Sequence, residues 1–294
     1  MNAREVLAQA SSWLAAGHGV AVATVIRTWG SSPRRVGSQL AVNDRGEMVG
    51  SVSGGCVEAA VVEEALEVLR GARARVVPFR VTNERAWEVG LACGGALDVF
   101  VERADPGTVA GALEALSARG QAEVVLELGA GERCTVPLEI PARLVVVGAV
   151  HIAQALAPMA QLAGLEVLVV DPRTAFATAE RFPGVALDRS WPDEALARAG
   201  LDRRAAVVAL THDPKLDDPA VAAALRSEAF YVGALGSRKT QSALRARLAE
   251  QGFGEIELAR IHGPVGLAIG AETPGEIAAS ILAEVIACRR APAR

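Results

Sequence analysis

What this sequence has little of narrows its function first. Aromatic residues make up 4% of the 294 positions, and Tyr231 is the single tyrosine. That is poor material for stacking nucleic-acid bases. Charge does not compensate: 30 Lys and Arg stand against 34 Asp and Glu, a formal net charge of −4. General nucleic-acid binding needs a basic footprint on phosphates, so no nucleic-acid partner is expected. No uninterrupted apolar run approaches the roughly 18 residues that a membrane-spanning helix requires, so no membrane partner is expected either. The first residues, through Asn2, Ala3, Arg4 and Glu5, lack the basic stretch and apolar core of a signal peptide. The four cysteines, at 56, 93, 134 and 288, are too few and too scattered for a disulfide framework. A reduced, cytoplasmic setting is therefore expected, in which each thiol serves either packing or chemistry. A Walker A loop and a Ser-His-Asp nucleophile elbow are also missing.

What is present is 51% apolar and long enough for two cores. Residues 2–16 read as a helix closed by Gly17. Strands are expected at 20–27, 39–43 and 47–51, the last two joined by an Asp-Arg-Gly turn as a hairpin. Helical spacing returns at 57–69, with Glu58, Glu63, Glu64 and Glu67 available for a wet face. Strand-like segments at 73–81 and 96–102 flank Trp87 to Cys93, and a helix near 106–119 precedes strands at 122–128 and 133–138. Pro137 and Pro141 bracket a short linker. Beyond it the grammar changes to buried strands alternating with helices: strand 144–147, helix 152–163, strand 167–170, strand 205–210, helix 217–226, strand 230–232, helix 238–250 and helix 275–290. The expected fold class is α/β: an N-terminal α+β domain over 1–136, then a doubly wound parallel sheet over 142–294.

Several constellations could carry chemistry. In Ser51-Val-Ser-Gly-Gly-Cys-Val-Glu, residues Ser53, Gly54 and Gly55 form a tight turn and Cys56 is expected in the first turn of the following helix. Unpaired N–H groups there favour anions, and a thiol so placed gains thiolate character, the form that binds metals or accepts sulfur. The competing reading is a buried cysteine in a glycine turn. Cys93, Gly94 and Gly95 repeat the theme in reverse order, running into a strand where glycines permit close approach by a ligand. Zinc fits poorly, because these two cysteines lie 37 positions apart. A redox pair, a soft-metal contact through Cys56 and Cys93, or sulfur handling stay open. Cys134 and Cys288 read as packing. The loop 28–37 is dense in small hydroxyl residues and ends in Arg34 and Arg35, whose guanidinium forks suit an oxyanion such as phosphate; a solvated turn is the plain alternative.

In the second half, Gly148-Ala-Val-His stands where a dinucleotide fold places its glycine fingerprint, and Asp171 holds the position of the ribose-binding acid. Val150 occupies the place of the second glycine, which obstructs ordinary NAD(P) docking. His151, His212 and Asp213 lie near strand ends, as does the turn formed by Gly233, Gly236, Ser237 and Arg238. Carboxyl ends of strands are where open α/β sheets bind ligands.

Taken together, Gly30 to Arg35, Gly50 to Glu58 and Gly90 to Gly95 resemble the amino-terminal module of the XdhC/CoxI family. Thr211 to Pro219, Tyr231 to Arg238 and Ile261 to Ala271 resemble its carboxy-terminal Rossmann-like module. The resemblance implies a xanthine dehydrogenase accessory protein. Such a protein binds the molybdenum cofactor (molybdopterin) as cargo, protects it while a cysteine desulfurase sulfurates the metal, and delivers it to an apo molybdenum hydroxylase. The family usually has Gly-Ala-Gly-His where this chain has Gly148-Ala-Val-His, which further weakens a nucleotide role. Beside this resemblance, the residues themselves nominate Cys56 and Cys93 near the metal or its sulfur and Arg34 or Arg35 near the phosphate. They nominate His212 and the 233–238 turn for the pterin or nucleotide end. A carrier is expected rather than an enzyme, and a homodimer is the commonest assembly for such a chain. The alternatives are an NAD(P)-dependent oxidoreductase and a Cys56/Cys93 thiol switch.

Overall fold

Val20 to Ile26 is apolar at most positions instead of at alternate ones, although an antiparallel strand with one wet face would alternate. In the computed structural model, which describes residues 2–31, 34–80, 95–119, 122–129 and 131–291, this segment is the central strand of a sheet covered on both faces. The chain divides into two units, Met1–Ile140 and Pro141–Arg294.

In the first unit, α1 (Ala3–Ala15) is followed by β1 (Val20–Trp29), β2 (Gln39–Asn43), β3 (Met48–Gly50), α2 (Glu58–Leu69), β4 (Arg75–Arg80), β5 (Ala96–Arg103), α3 (Pro106–Ser117), β6 (Glu123–Gly129) and β7 (Glu132–Pro137). Five strands pair antiparallel in the order β3-β2-β1-β5-β4, and β6 and β7 form a separate hairpin. Val20, Val22 and Ile26 point to one face, where α1, α3 and the hairpin supply Val6, Leu7, Leu116 and Leu126. Ala21, Ala23 and Val25 point to the other, against Val57, Val61 and Val68 of α2 and its approach. A capping box between Asn2 and Glu5 starts α1.

The second unit runs β8 (Arg143–Val147), α4 (His151–Leu162), β9 (Glu166–Val170), β10 (Ala186–Asp188), α5 (Pro192–Ala199), β11 (Ala205–Ala209), α6 (Pro214–Leu225), β12 (Tyr231–Ala234), α7 (Arg238–Glu250), α8 (Glu255–Leu258), β13 (Ile261–His262) and α9 (Pro274–Arg290). Its six strands are all parallel, in the order β10-β9-β8-β11-β12-β13. That is the Rossmann order, with its switch point between β8 and β11. Helices α4 and α9 cover one face through Leu156, Ala160, Ile281 and Val285. Helices α5, α6 and α7 cover the other through Leu196, Val221, Leu225 and Leu248. The α/β class and the Rossmann-like sheet agree with the sequence reading. Helix α6 begins three residues before its expected start because Asp213 caps it and Pro214 takes its first turn, a place proline favours. Among the described residues, no helix is long and apolar enough to cross a membrane.

Candidate functional site

The loop from Ser51 to Val57 is organised around one side chain that the sequence placed in water. Glu58, the first residue of α2, is only 6% exposed. Its carboxylate folds back under the loop. Oε1 accepts from Ser51 Oγ at 2.6 Å, Val52 N at 3.2 Å, Ser53 N at 2.9 Å and Gly54 N at 3.1 Å. Oε2 accepts from Ser53 Oγ at 2.5 Å, Gly55 N at 2.8 Å and Val57 N at 3.2 Å. Burial on its own would raise this carboxyl, but the hydroxyls of Ser51 and Ser53 and the Ser53 amide outweigh it and hold the group at about 2. The anion that the glycine turn was expected to receive from outside is therefore supplied by the chain itself.

Two sequence expectations need correction here. Glu58 does not belong to the wet face of α2, because the loop wraps it. Cys56 does not lie in the first helical turn: Val57 is the N-cap, and the half-buried Cys56 precedes it. The Cys56 amide donates to Ser53 Oγ at 3.0 Å, so the buried Ser53 ties the cysteine backbone to the glutamate.

Around this loop the arginines converge. Arg34 and Ser51 line a cavity of about 300 Å³ together with Asn2, Arg35, Ser38 and Glu139. The same two residues also line an open groove of about 790 Å³ with Met48, Gly54, Gly55 and Glu58. Gly37 seals the cavity wall: a Cβ there would stand 2.2 Å from the Pro137 carbonyl oxygen. Arg34, Arg35, Gly54 and Gly55 thus share one continuous lining, with Ser53 beneath it and Cys56 next in the chain. Gly95 is buried immediately before β5. Cys93 and Gly94, and with them the Cys56/Cys93 pairing, lie outside the described residues. Among the described residues, no cluster of three or more His, Cys, Asp and Glu side chains is arranged around a metal position.

In the second unit the nominated residues gather at two places. At the switch point, Gly148 adopts φ +109°, and a Cβ on it would meet Thr211 Cγ2 at 2.6 Å, so the ends of β8 and β11 meet closely there. Asp171 is fully buried. Its Oδ2 accepts from Ala149 N at 2.8 Å and Arg173 Nη2 at 2.7 Å, and its Oδ1 from Arg173 N at 3.0 Å and Arg173 Nε at 2.9 Å. Burial raises the carboxyl, yet Arg173 and the Ala149 amide outweigh it and hold it below the ordinary value. The residue in the ribose-binding position is committed to its own glycine turn and to an arginine. His151 opens α4 and is exposed, and His212 is exposed with φ +60°. Asp213 caps α6 through Lys215 N at 3.0 Å. Beyond β12, Gly233 is packed against Val265 and Tyr231, Ser237 caps α7 through Thr240 N at 3.2 Å, and the exposed Arg238 begins that helix. Sequence reasoning missed Arg173 and the inward role of Glu58. The Asp-Pro-Arg spacing after β9 was the available signal for the first; nothing local marked the second.

Comparison with known proteins accords with this architecture. Residues 13–80 match the XdhC and CoxI family and residues 144–285 the XdhC Rossmann domain. The chain is 31% identical to the uncharacterized protein YqeB of Escherichia coli over 90% of this chain and 43% of that protein. It spans less than half of that relative but most of two others. One is the molybdenum cofactor insertion chaperone PaoD of Escherichia coli, 30% identical over 97% of this chain and 88% of that protein. The other is a probable xanthine dehydrogenase subunit of Bacillus subtilis, 25% identical over 92% of this chain and 93% of that protein. A crystal structure of a xanthine dehydrogenase from Bacillus halodurans superposes with a TM-score of 0.79 at 23% identity, covering 99% of this chain and 96% of that one, a likeness of fold. With both family models matched and a relative 30% identical over 88% of its own length, the chain belongs to the XdhC and CoxI family.

Proposed function

We propose that this protein takes part in molybdenum cofactor maturation as a carrier. In this reading it holds the cofactor while a cysteine desulfurase sulfurates the metal and then passes it to an apo-hydroxylase of the xanthine dehydrogenase type. Its relatives' names support the maturation role. The observation that carries the placement is the shared wall of Arg34 and Ser51 between a cavity and an open groove, beside the Gly54–Gly55 turn. A guanidinium fork suits the phosphate of a molybdopterin. An open groove suits cargo that must leave again, and Cys56 follows directly on the groove residue Gly55, within reach of the metal end of such a ligand. Glu58 accepts from the loop amides, an internal arrangement that lowers the ordering cost of binding. The commitment of Asp171 to Ala149 and Arg173 speaks against a nicotinamide dinucleotide in the second unit.

The test is anaerobic incubation of the full chain with molybdenum cofactor, separating bound from free ligand, for wild type, Arg34→Ala and Cys56→Ala. Saturable, near-stoichiometric binding that both substitutions weaken supports the reading. Binding unchanged by either substitution moves the site to the strand ends near His212 and Arg238. No binding at all overturns the carrier role.

A further inference from the structure

A second polar cluster lies in the Rossmann-like unit, beside Gly233 on β12 and β13. Its centre is Glu284 on α9. Tyr231 at the start of β12 donates its hydroxyl to Glu284 Oε2 at 2.5 Å, and the Gly266 amide donates to the same oxygen at 2.8 Å. The other carboxylate oxygen, Oε1, stands 3.0 Å from Nδ1 of His262, the last residue of β13. Tyr231 also stacks on the His262 ring, with centroids 4.4 Å apart and planes 28° from parallel. The imidazole is therefore held in plane by a ring and in azimuth by a carboxylate. A carboxylate at Nδ1 places the proton on that nitrogen, which leaves the lone pair of Nε2 facing outward from Glu284. What Nε2 faces is Cys288 Sγ, at 3.9 Å. Cys288 is one helical turn after Glu284, so the i, i+4 spacing brings thiol and carboxylate to one side of α9 with the histidine between them.

The sequence placed Cys288 in packing, and half of that is correct: it packs against the core under α4 and α9. Yet the order thiol, imidazole, carboxylate is that of a nucleophile with its base and the group that orients the base. We propose that Cys288 is a nucleophilic thiol that attacks S–S bonds, with His262 as its general base and Glu284 and Tyr231 as positioning residues. Burial, then the Glu284 charge, push the thiol above its ordinary value. It rests as S–H at neutral pH and requires the imidazole to react. The phenol of Tyr231 is raised by burial and by Glu284, so it stays a donor that holds the carboxylate in place. Helix α4, packed alongside, carries no ionisable side chain other than His151 at its first position.

The step balances within these groups. The Cys288 proton passes to Nε2 as Sγ attacks the nearer sulfur of R–S–S–R′. The Sγ–S bond forms, the S–S bond breaks, and the leaving thiolate takes the proton back from His262 as R′–SH. Cys288 ends oxidised to a mixed disulfide and the leaving sulfur reduced, so no outside oxidant is needed. With a persulfide, R–S–SH, attack on the terminal sulfur leaves Cys288–S–SH and releases R–SH. Sulfur exchange needs a thiolate and a proton for the leaving group. Acyl transfer would also need donors for an oxyanion, and the Gly266 amide, a donor of that kind, is committed to Glu284.

The experiment uses the full-length, pre-reduced protein under argon with glutathione disulfide in one arm and glutathione persulfide in the other. Peptide mass spectrometry follows Cys288 against Cys134, a half-buried strand cysteine in the same molecule. Cys288 is expected to react first. His262→Gln should slow it by about a hundredfold, the usual scale for losing a general base, while Glu284→Gln should slow it less and displace the pH–rate profile of its alkylation by iodoacetamide. Reaction in the disulfide arm assigns mixed-disulfide chemistry, and reaction in the persulfide arm alone assigns a sulfane-sulfur acceptor. Should the His262 variant fail to fold, the wild-type comparison of Cys288 with Cys134 and its pH profile decide alone. Reaction no faster than Cys134, or equal rates with and without the imidazole, overturns the proposal.

Discussion

Ser53 donates its hydroxyl to Glu58 Oε2 at 2.5 Å while its own Oγ accepts from the amides of Cys56 and Val57 at 3.0 and 3.1 Å. One buried hydroxyl thereby links the carboxylate to the two residues that lead into α2. The glycine turn is shaped from within by a charge.

Replacing that charge tests the relationship. Glu58→Gln retains the size but turns one acceptor into a donor facing N–H groups, and should cost about 2–3 kcal/mol at neutral pH. The carboxyl is held at about 2 against an ordinary 4.5. A depressed folded value contributes stability above the ordinary value, and the contribution is lost as pH falls from about 4.5 towards 2. The gap between wild type and Glu58→Gln in urea unfolding should therefore be full at pH 7 and nearly closed at the acid end. A gap that is independent of pH would contradict the charge-based account.

Glu102 behaves in the opposite sense. Burial, followed by the charges of Asp105 and Glu127, raises its carboxyl to about 7 from 4.5. The folded state then holds a proton that the unfolded chain releases, so stability falls as pH rises from about 4.5 to 7. Glu102→Gln should remove that slope and stabilise the protein at pH 7 by about 1 kcal/mol, a figure reduced for partial solvent screening. Chemical unfolding across this pH range, compared between the two proteins, reads it directly.

Gly148→Ala should destabilise the second unit by about 2–4 kcal/mol, because it combines φ +109° with a Cβ contact of 2.6 Å to Thr211 Cγ2. Thr211→Ser removes that methyl and keeps the hydroxyl that donates to Asp217 at 2.7 Å. In a double-mutant cycle, the pair should recover the steric part and retain the backbone part. Strict additivity would mean that the two residues do not touch.

Asp171→Asn breaks the pair with Arg173, whose guanidinium meets it at 2.7 Å, and should lower the urea midpoint by the equivalent of about 2 kcal/mol with an unchanged slope. The wild-type carboxyl lies below its ordinary value, so this contribution holds at neutral pH and fades on acidification through the ordinary range. The same commitment of Asp171 predicts that NAD(H) and NADP(H) leave the melting temperature unchanged. A rise that grows with nucleotide concentration would count against it.

The elements that could be read from the sequence share a physical character. The run Leu144 to Val147 ends at Gly148 and is followed at once by helical spacing, a signal that needs no distant partner. Parallel strands buried on both faces show as continuous apolar runs for that reason. Strands β10 and β13, of three and two residues, carry too little periodicity to register and exist because neighbouring strands pair with them. Arg34, Arg35, Gly54 and Gly55 were each legible as residue types suited to an oxyanion or a turn, whereas the cavity and groove that meet at Arg34 and Ser51 were not.

Apolar spacing, glycine turns and capping residues are local, so the sequence by itself determined the α/β character and the positions of most helices and strands. The partners of buried polar groups are settled between segments. Asp171 meets Ala149 from 22 positions away, and Cys288 meets His262 from 26. Only the folded chain decided that Glu58 turns inward, that Asp171 is occupied and that Cys288 faces an imidazole. The reason is that a buried charge or lone pair must find a partner wherever the packing brings one, at whatever separation along the chain.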